Sequence, residues 1–123
     1  MRALIVDDSK ATRSVIAKIL RGLGFEVSQA EDGKQALLKI EACLPPDIAL
    51  VDWNMPEMNG LELILALRNQ SKFDTVKLIM VTTESEIDQI QKALDAGADE
   101  YLMKPFTPDA LGDKLGILGF SPA

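Results

Sequence analysis

Short runs of apolar residues alternate along the chain with longer segments in which apolar residues recur at helical spacing. Gly22, Pro45 and Gly97 mark three of the points where a helical segment ends. A repeated order of strand and helix is typical of an α/β fold. The predicted strands are residues 3–6, 25–30, 48–51, 78–81 and 101–103, and the predicted helices are residues 9–20, 36–44, 60–69, 84–96 and 108–118.

Five strand–helix units in succession predict a parallel sheet with helices on both faces. The run 48–51 is apolar without interruption, which is typical of a strand buried on both faces. The helical pattern assigns Val15, Leu65 and Ile87 to faces that pack on the sheet. Gly112 and Gly116 each cost about 1 kcal/mol relative to Ala in a helix interior, which weakens the last helix.

Composition and net charge exclude several classes of function and partner. The 123 residues suffice for one domain, and a net charge of −6 without a basic cluster argues against nucleic acid or an acidic membrane as partner. No apolar stretch approaches the roughly 20 residues of a transmembrane helix. The absence of histidine excludes a Ser-His-Asp triad and a phosphohistidine within the chain. Cys43 has no disulfide partner, so we expect a cytoplasmic location and a helical, buried Cys43.

Polar residues follow four of the predicted strands. Asp7-Asp8 follow the first strand, Asp52 the third, Thr82 the fourth and Lys104 the fifth. The carboxyl ends of parallel strands open on one edge of the sheet, where α/β proteins bind ligands. Carboxylates brought together there repel one another, and Mg²⁺ is the cation that best suits such an oxygen-rich site. Taken singly, Asp8 could be a helix N-cap, Thr82 a plain strand residue and Lys104 a solvated cation.

Together these residues resemble a known family. Their order, spacing and strand placement are similar to those of response-regulator receiver domains, and most similar to the stand-alone chemotaxis (CheY-like) type. The resemblance implies a flavodoxin-like, doubly wound (βα)5 fold with the strand order 2-1-3-4-5. It also implies that residues 1–123 are a single receiver domain without an output domain. The motifs that carry it are Asp7-Asp8, Asp52-Trp53-Asn54-Met55-Pro56, Gly60, Val81-Thr82, Tyr101 and Lys104-Pro105-Phe106.

The resemblance implies a site that accepts a phosphoryl group. A histidine kinase would transfer the group from its phosphohistidine to Asp52, and Lys104 and Thr82 would bind the phosphoryl oxygens. The protein would catalyse only its own phosphorylation and dephosphorylation, and would not be an enzyme acting on external substrates. Asp7 would assist the metal directly or through water. The implied ligands of Mg²⁺ are Asp7, Asp8, Asp52 and the backbone carbonyl of Asn54.

The resemblance also implies how phosphorylation would change the surface that partner proteins bind. Thr82 drawn toward the phosphoryl group would vacate space, and Tyr101 would turn inward to fill it. A downstream target protein or a phosphatase would read the changed face of the fourth helix, fifth strand and last helix. Asn54 and Glu84 would flank the path of an attacking water and tune dephosphorylation. From the sequence alone, it is equally reasonable that they are polar loop residues without this role.

Several alternatives stay open at the level of sequence. The phosphoryl group could pass to a histidine phosphotransfer protein in a relay. Asp52 could also be the nucleophile of a hydrolase that forms an aspartyl phosphate. Such sites usually have a second acidic residue two positions after the nucleophile, and that position is Asn54 here. We expect a monomer that can dimerise once phosphorylated, and the resemblance adds a cis peptide bond before Pro105. Four cations of the first helix form either a solvated polar face or a kinase-docking face: Lys10, Arg13, Lys18 and Arg21.

Overall fold

Five strands form one parallel sheet in the computed structural model. The structure describes residues 1–42 and 44–120, without the side chains of residues 84–86, so the prediction for Cys43 lies outside it. The strands are β1 (Arg2–Val6), β2 (Glu26–Ala30), β3 (Ile48–Asp52), β4 (Lys77–Thr83) and β5 (Glu100–Lys104). Their order across the sheet is β2-β1-β3-β4-β5, which confirms the predicted topology.

Helices cover both faces of the sheet, as predicted. They are α1 (Lys10–Gly22), α2 (Gly33–Ala42), α3 (Gly60–Arg68), α4 (Ile90–Ala96) and α5 (Pro108–Ile117). One face of the sheet packs against α2, α3 and α4 through residues such as Ile40 and Ile64. The other face packs against α1 and α5 through residues such as Ile16 and Leu115. Within the described residues, the helices are all too short or too polar to cross a membrane.

The fourth predicted helix differs from the structure. The pattern predicts one helix over residues 84–96, but Glu84–Gln89 form a 3₁₀ segment and α4 begins only at Ile90. Ile87 is 53% exposed, so it does not anchor this segment to the sheet. Short helices owe most of their stability to the packing of an apolar face, and a segment without that packing adopts tighter and less regular turns.

The buried faces of two helices are also rotated from the prediction. Val15 in α1 is 60% exposed, and Arg13 lies inward with Ile16 and Leu20. Leu65 in α3 is 50% exposed. Each of these helices has more apolar positions than one face can bury, so contact with the sheet decides which of them are covered.

Candidate functional site

The three predicted carboxylates lie together at the edge where β1 and β3 end. The strand order reverses between these two neighbours, which opens a crevice at their carboxyl ends. Carboxylate oxygens of Asp7, Asp8 and Asp52 lie within 4.8 Å of one another; Asp7 and Asp52 are buried and Asp8 is exposed. The helix N-cap considered for Asp8 is Ser9 instead, whose Oγ accepts a hydrogen bond from the Thr12 N–H. Capping therefore does not engage the Asp8 carboxylate.

The ammonium group of Lys104 faces this cluster. Lys104, the last residue of β5, donates from Nζ to Asp7 Oδ2 at 2.9 Å and to Asp52 Oδ1 at 3.3 Å. The peptide bond between Lys104 and Pro105 is cis, which confirms that prediction. One lysine against three carboxylates leaves these four side chains with a net negative charge.

Burial and charge change the acidity of the cluster. Burial and the negative charge of Asp7 raise the pKa of Asp52 from its ordinary 3.8 to about 6, although Lys104 opposes the shift. Burial alone would lower the pKa of Lys104, but its hydrogen bond to Asp7 and the charge of Asp52 outweigh burial and raise it. At neutral pH Asp52 is therefore mostly ionised, at a cost in desolvation that a second cation would reduce.

Thr82 supplies a hydrogen-bonding group that the fold leaves unused. It is fully buried in β4, one residue beyond Val81, which is the register partner of Asp52. Among the described residues its Oγ1 has no hydrogen-bond partner. A buried hydroxyl without a partner is uncommon because its desolvation is not compensated. Three oxygen ligands beside an ammonium group and an unused hydroxyl fit a hard divalent cation together with an oxyanion.

The loop after Asp52 is held tightly against β3. The Gly60 N–H donates to the Trp53 carbonyl at 3.0 Å. A Cβ on Gly60 would lie 2.5 Å from the carbonyl oxygen of Asp52, so α3 begins in direct contact with the strand that carries the carboxylate. Asn54 is exposed in this loop. The side chain of Glu84, which is predicted to act with Asn54, lies outside the described part of the structure.

Tyr101 lies on β5, next to the strand that carries Thr82. The register pairs Thr82 with Met103, so Tyr101, two residues earlier, points to the same face of the sheet. The Lys114 ammonium group lies 4.1 Å from the centroid of the Tyr101 ring, and it donates to Glu100 Oε1 at 2.9 Å. These contacts join α5 to β5 around a half-buried tyrosine.

Arg13 is predicted to be exposed, and the structure buries it beside the carboxylate cluster. The prediction puts it among exposed cations, yet it is 8% exposed. Its NH1 donates to the carbonyl oxygen of Asp7 at 2.7 Å, and its Nε donates to Gln29 Oε1 at 3.1 Å. Helical spacing carries a signal for this position, because Arg13 precedes three buried residues by three, four and seven places. Those residues are Ile16, Ala17 and Leu20.

Known proteins resemble the chain over nearly its whole length. Residues 3–116 match the family described as the response regulator receiver domain. The chain is 43% identical over 119 residues to the chemotaxis protein CheY1 of Helicobacter pylori, with 96% of each chain covered. It is 40% identical over 116 residues to the chemotaxis protein CheY of Pseudomonas aeruginosa, with 94% of the chain and 93% of that protein covered. The high-resolution structure of chemotaxis response regulator CheY4 of Vibrio cholerae has a TM-score of 0.87 at 36% identity, with 95% of this chain and 97% of that chain covered.

Proposed function

We propose that this chain, which belongs to the response-regulator receiver family, is a phosphorylation-activated switch whose phosphoacceptor is Asp52. In this proposal residues 1–123 act as one receiver domain, and a histidine kinase of a two-component system is the donor. The observation that carries it is Asp52 itself. Its carboxylate is buried, has a pKa of about 6 and lies 3.3 Å from the Lys104 ammonium group.

The transfer is a displacement at phosphorus. A carboxylate oxygen of Asp52 forms the new bond, and the phosphorus–nitrogen bond of the donor's phosphohistidine breaks. The electron pair stays on the imidazole nitrogen, which takes up a proton. Lys104 donates to the oxygens of the transferred group, and Thr82 Oγ1 donates to one of them. Positioning and neutralisation of charge supply most of the rate enhancement in such transfers.

The carboxylate cluster fits Mg²⁺. Asp7, Asp8, Asp52 and the backbone carbonyl of Asn54 would hold the ion. When bound, it supplies positive charge to the phosphoryl oxygens. The net negative charge of the cluster and the raised pKa of Asp52 both favour occupation by a divalent cation, because the cation relieves the repulsion among the carboxylates.

Thr82 and Tyr101 form the proposed output. A hydrogen bond to a charged group contributes roughly 1.5–3 kcal/mol, so a new bond from Thr82 to the phosphoryl group could shift a conformational equilibrium by roughly 10- to 100-fold. Tyr101 shares the sheet face of Thr82, and its inward turn would break its contact with Lys114. A downstream target or a phosphatase would read the change on α4, β5 and α5. The named relatives are chemotaxis proteins, so we propose a chemotaxis-like pathway.

A cleft beside Lys104 suits the docking of the kinase. It has a volume of about 540 Å³ and lies between α1 and the segment that follows β5, where it opens next to the phosphoacceptor site. Val15, which the helical pattern assigns to the core, is 60% exposed and lines this cleft with Ile16 and Phe106. An apolar cleft at this place would hold the donor's phosphohistidine helix close to Asp52.

Fluorescence of Trp53 tests the proposed function. Trp53 is the only tryptophan and directly follows Asp52. We expect its emission to change on addition of Mg²⁺ and to change again with acetyl phosphate or beryllofluoride. Mass spectrometry after borohydride reduction should locate the acyl phosphate at Asp52. A wild-type protein whose Trp53 emission responds to neither addition would contradict the proposed site.

Substituting Thr82 should separate phosphorylation from its consequence. We expect acetyl phosphate still to label Thr82→Ala. The change that phosphorylation causes in the conformational equilibrium constant should, however, be roughly 10- to 100-fold smaller than in wild type. The measurement is the NMR signal of the ring of Tyr101, the only tyrosine in the chain, with and without beryllofluoride. Thr75→Ala, at an exposed threonine, is the matched control. Equal ring shifts in Thr82→Ala and wild type would exclude Thr82 from the switch.

A further inference from the structure

The backbone of Asp7 is held from both sides. Its N–H donates to the Ala30 carbonyl at 3.1 Å, which extends the pairing of β1 with β2 by one residue. Its carbonyl oxygen accepts from Arg13 NH1 at 2.7 Å in a buried contact. Gln29, near the end of β2, holds the same guanidinium group through Nε. The peptide that joins Asp7 to Asp8 is therefore bound to α1 and to β2.

The side chain of Asp7 is fixed as well, whereas that of Asp8 is not. Asp7 Oδ1 accepts from the Ser9 N–H at 2.9 Å, and Oδ2 accepts from Lys104 Nζ. Asp8 is exposed, and among the described residues no hydrogen bond or ion pair involves its carboxylate. Among the described residues, only the backbone therefore restrains Asp8, and it sets the direction of the Cα–Cβ bond along which the carboxylate projects.

We propose that Arg13 is a positioning residue for the metal site. By binding the Asp7 carbonyl, it fixes the plane of the Asp7–Asp8 peptide and keeps the Asp8 carboxylate within reach of those of Asp7 and Asp52. Arg13 touches neither the metal nor the phosphoryl group in this scheme. The inference rests on the proposed function of the cluster as a Mg²⁺ site.

The bonding of Arg13 favours this role over a general one in stability. A buried arginine whose task is charge balance would pair with a carboxylate, as Lys104 does. Arg13 instead donates to a backbone carbonyl and to a neutral amide, and both of these groups belong to segments that frame the aspartate pair. Groups that orient metal ligands in this way typically change metal affinity by roughly 10- to 100-fold when they are removed.

Arg68 offers a matched control at the opposite end of the sheet. It too is largely buried, and it too donates to backbone carbonyls, those of Gly97, Phe73 and Val76. Its ion pair with Asp99 lies near the amino-terminal ends of β4 and β5, away from the carboxylate cluster. Losing Arg68 should destabilise the fold without changing the direction of Asp8.

The experiment compares Arg13→Met with Arg68→Met. Mg²⁺ affinity is measured by titration of Trp53 fluorescence, and stability is measured by urea unfolding without metal. We expect both variants to be less stable than wild type, but only Arg13→Met to bind Mg²⁺ at least about 10-fold more weakly. The Asp8 amide signal of the metal-free protein should move in Arg13→Met and stay in place in Arg68→Met.

Two milder variants keep the test decisive if Arg13→Met does not fold. Arg13→Lys can still donate to the Asp7 carbonyl, but it has a single nitrogen in place of the separate Nε and NH1 that bind Gln29 and Asp7. We therefore expect an intermediate loss of affinity. Gln29→Leu should weaken Mg²⁺ binding in the same direction and by less. The inference is overturned if wild type binds Mg²⁺ and all of the folded variants bind it equally well. A wild-type protein that does not bind Mg²⁺ instead refutes the proposed function, and the role of Arg13 with it.

Discussion

Asp52→Asn should stabilise the metal-free fold at neutral pH while abolishing phosphorylation. The carboxylate of Asp52 has its pKa raised from 3.8 to about 6 by burial and by Asp7, so its ionised form is disfavoured in the folded state. A shift of this size corresponds to an upper limit of about 3 kcal/mol. The asparagine keeps an oxygen that can accept from Lys104 but loses an ion pair. We therefore expect a net gain of about 1–2 kcal/mol in the free energy of unfolding above pH 7.

The pH dependence of this effect has a defined sign. Because the pKa of Asp52 is higher in the folded state, its contribution to stability is fully present below pH 3.8 and is lost as pH rises to about 6. The stability of Asp52→Asn relative to wild type should therefore increase across pH 4–6 and level off above pH 7. Urea unfolding at a series of pH values, without divalent cations, measures this. Parallel stability profiles for the two proteins would contradict the expected burial of charge.

Controls separate this effect from general changes in surface charge. Asp113 is an exposed aspartate on α5, and Asp113→Asn should change stability by less than about 0.5 kcal/mol at every pH. Adding Mg²⁺ should stabilise wild type by about 1.4 kcal/mol for each tenfold rise in ion concentration above the dissociation constant. It should stabilise Asp52→Asn much less, because one ligand has lost its charge. Acetyl phosphate should label wild type and Asp113→Asn but not Asp52→Asn.

The proposed function of this site conflicts with the stability of the resting protein. Three carboxylates lie within 4.8 Å of one another beside one lysine, and Thr82 buries a hydroxyl without a partner among the described residues. Each arrangement costs free energy in the resting protein, and binding of the proposed cation and oxyanion would reduce that cost. The surrounding core of β1, β3 and β4 is apolar and closely packed, which is what allows the edge of the sheet to retain such unfavourable groups.

The sequence predicts that these residues meet because a parallel sheet converts order along the chain into proximity. Apolar runs locate the strands, and the residues that follow them, Asp7, Asp52 and Lys104, meet at one edge. It predicts the helices less well, because several faces are apolar enough to be buried and only packing selects one. For this reason Val15 of α1 is exposed where burial is predicted, and Arg13 is buried where exposure is predicted. No sequence motif marks the hydrogen bond from Arg13 to the Asp7 carbonyl, because every residue has a backbone carbonyl.

Gly60→Ala should disrupt both the fold and the site. Helix propensity alone would favour alanine by about 1 kcal/mol. However, the new Cβ would lie 2.5 Å from the Asp52 carbonyl oxygen and 3.0 Å from Trp53 Cα, and both of these atoms belong to backbone that cannot rotate away. Either α3 must move off the sheet or the end of β3 must shift. We expect a loss of about 2–3 kcal/mol in the free energy of unfolding, as is typical of overpacking.

The displacement should reach the carboxylate, because the contact is with the residue that carries it. We expect Gly60→Ala to bind Mg²⁺ at least about 10-fold more weakly, since a shift of the β3 end misplaces one ligand relative to the other two. Gly112→Ala is the matched control. Within the part of the chain that the structure describes, no atom outside its chain neighbours and its own helix backbone lies within 4 Å of the new Cβ. This variant should therefore gain about 0.5–1 kcal/mol with unchanged Mg²⁺ affinity. Urea unfolding of both variants measures the change in stability, and titration of Trp53 fluorescence measures the change in Mg²⁺ affinity. If the two substitutions are equally tolerated, α3 does not hold the strand end in place, and the position of Asp52 must be set from within the sheet alone.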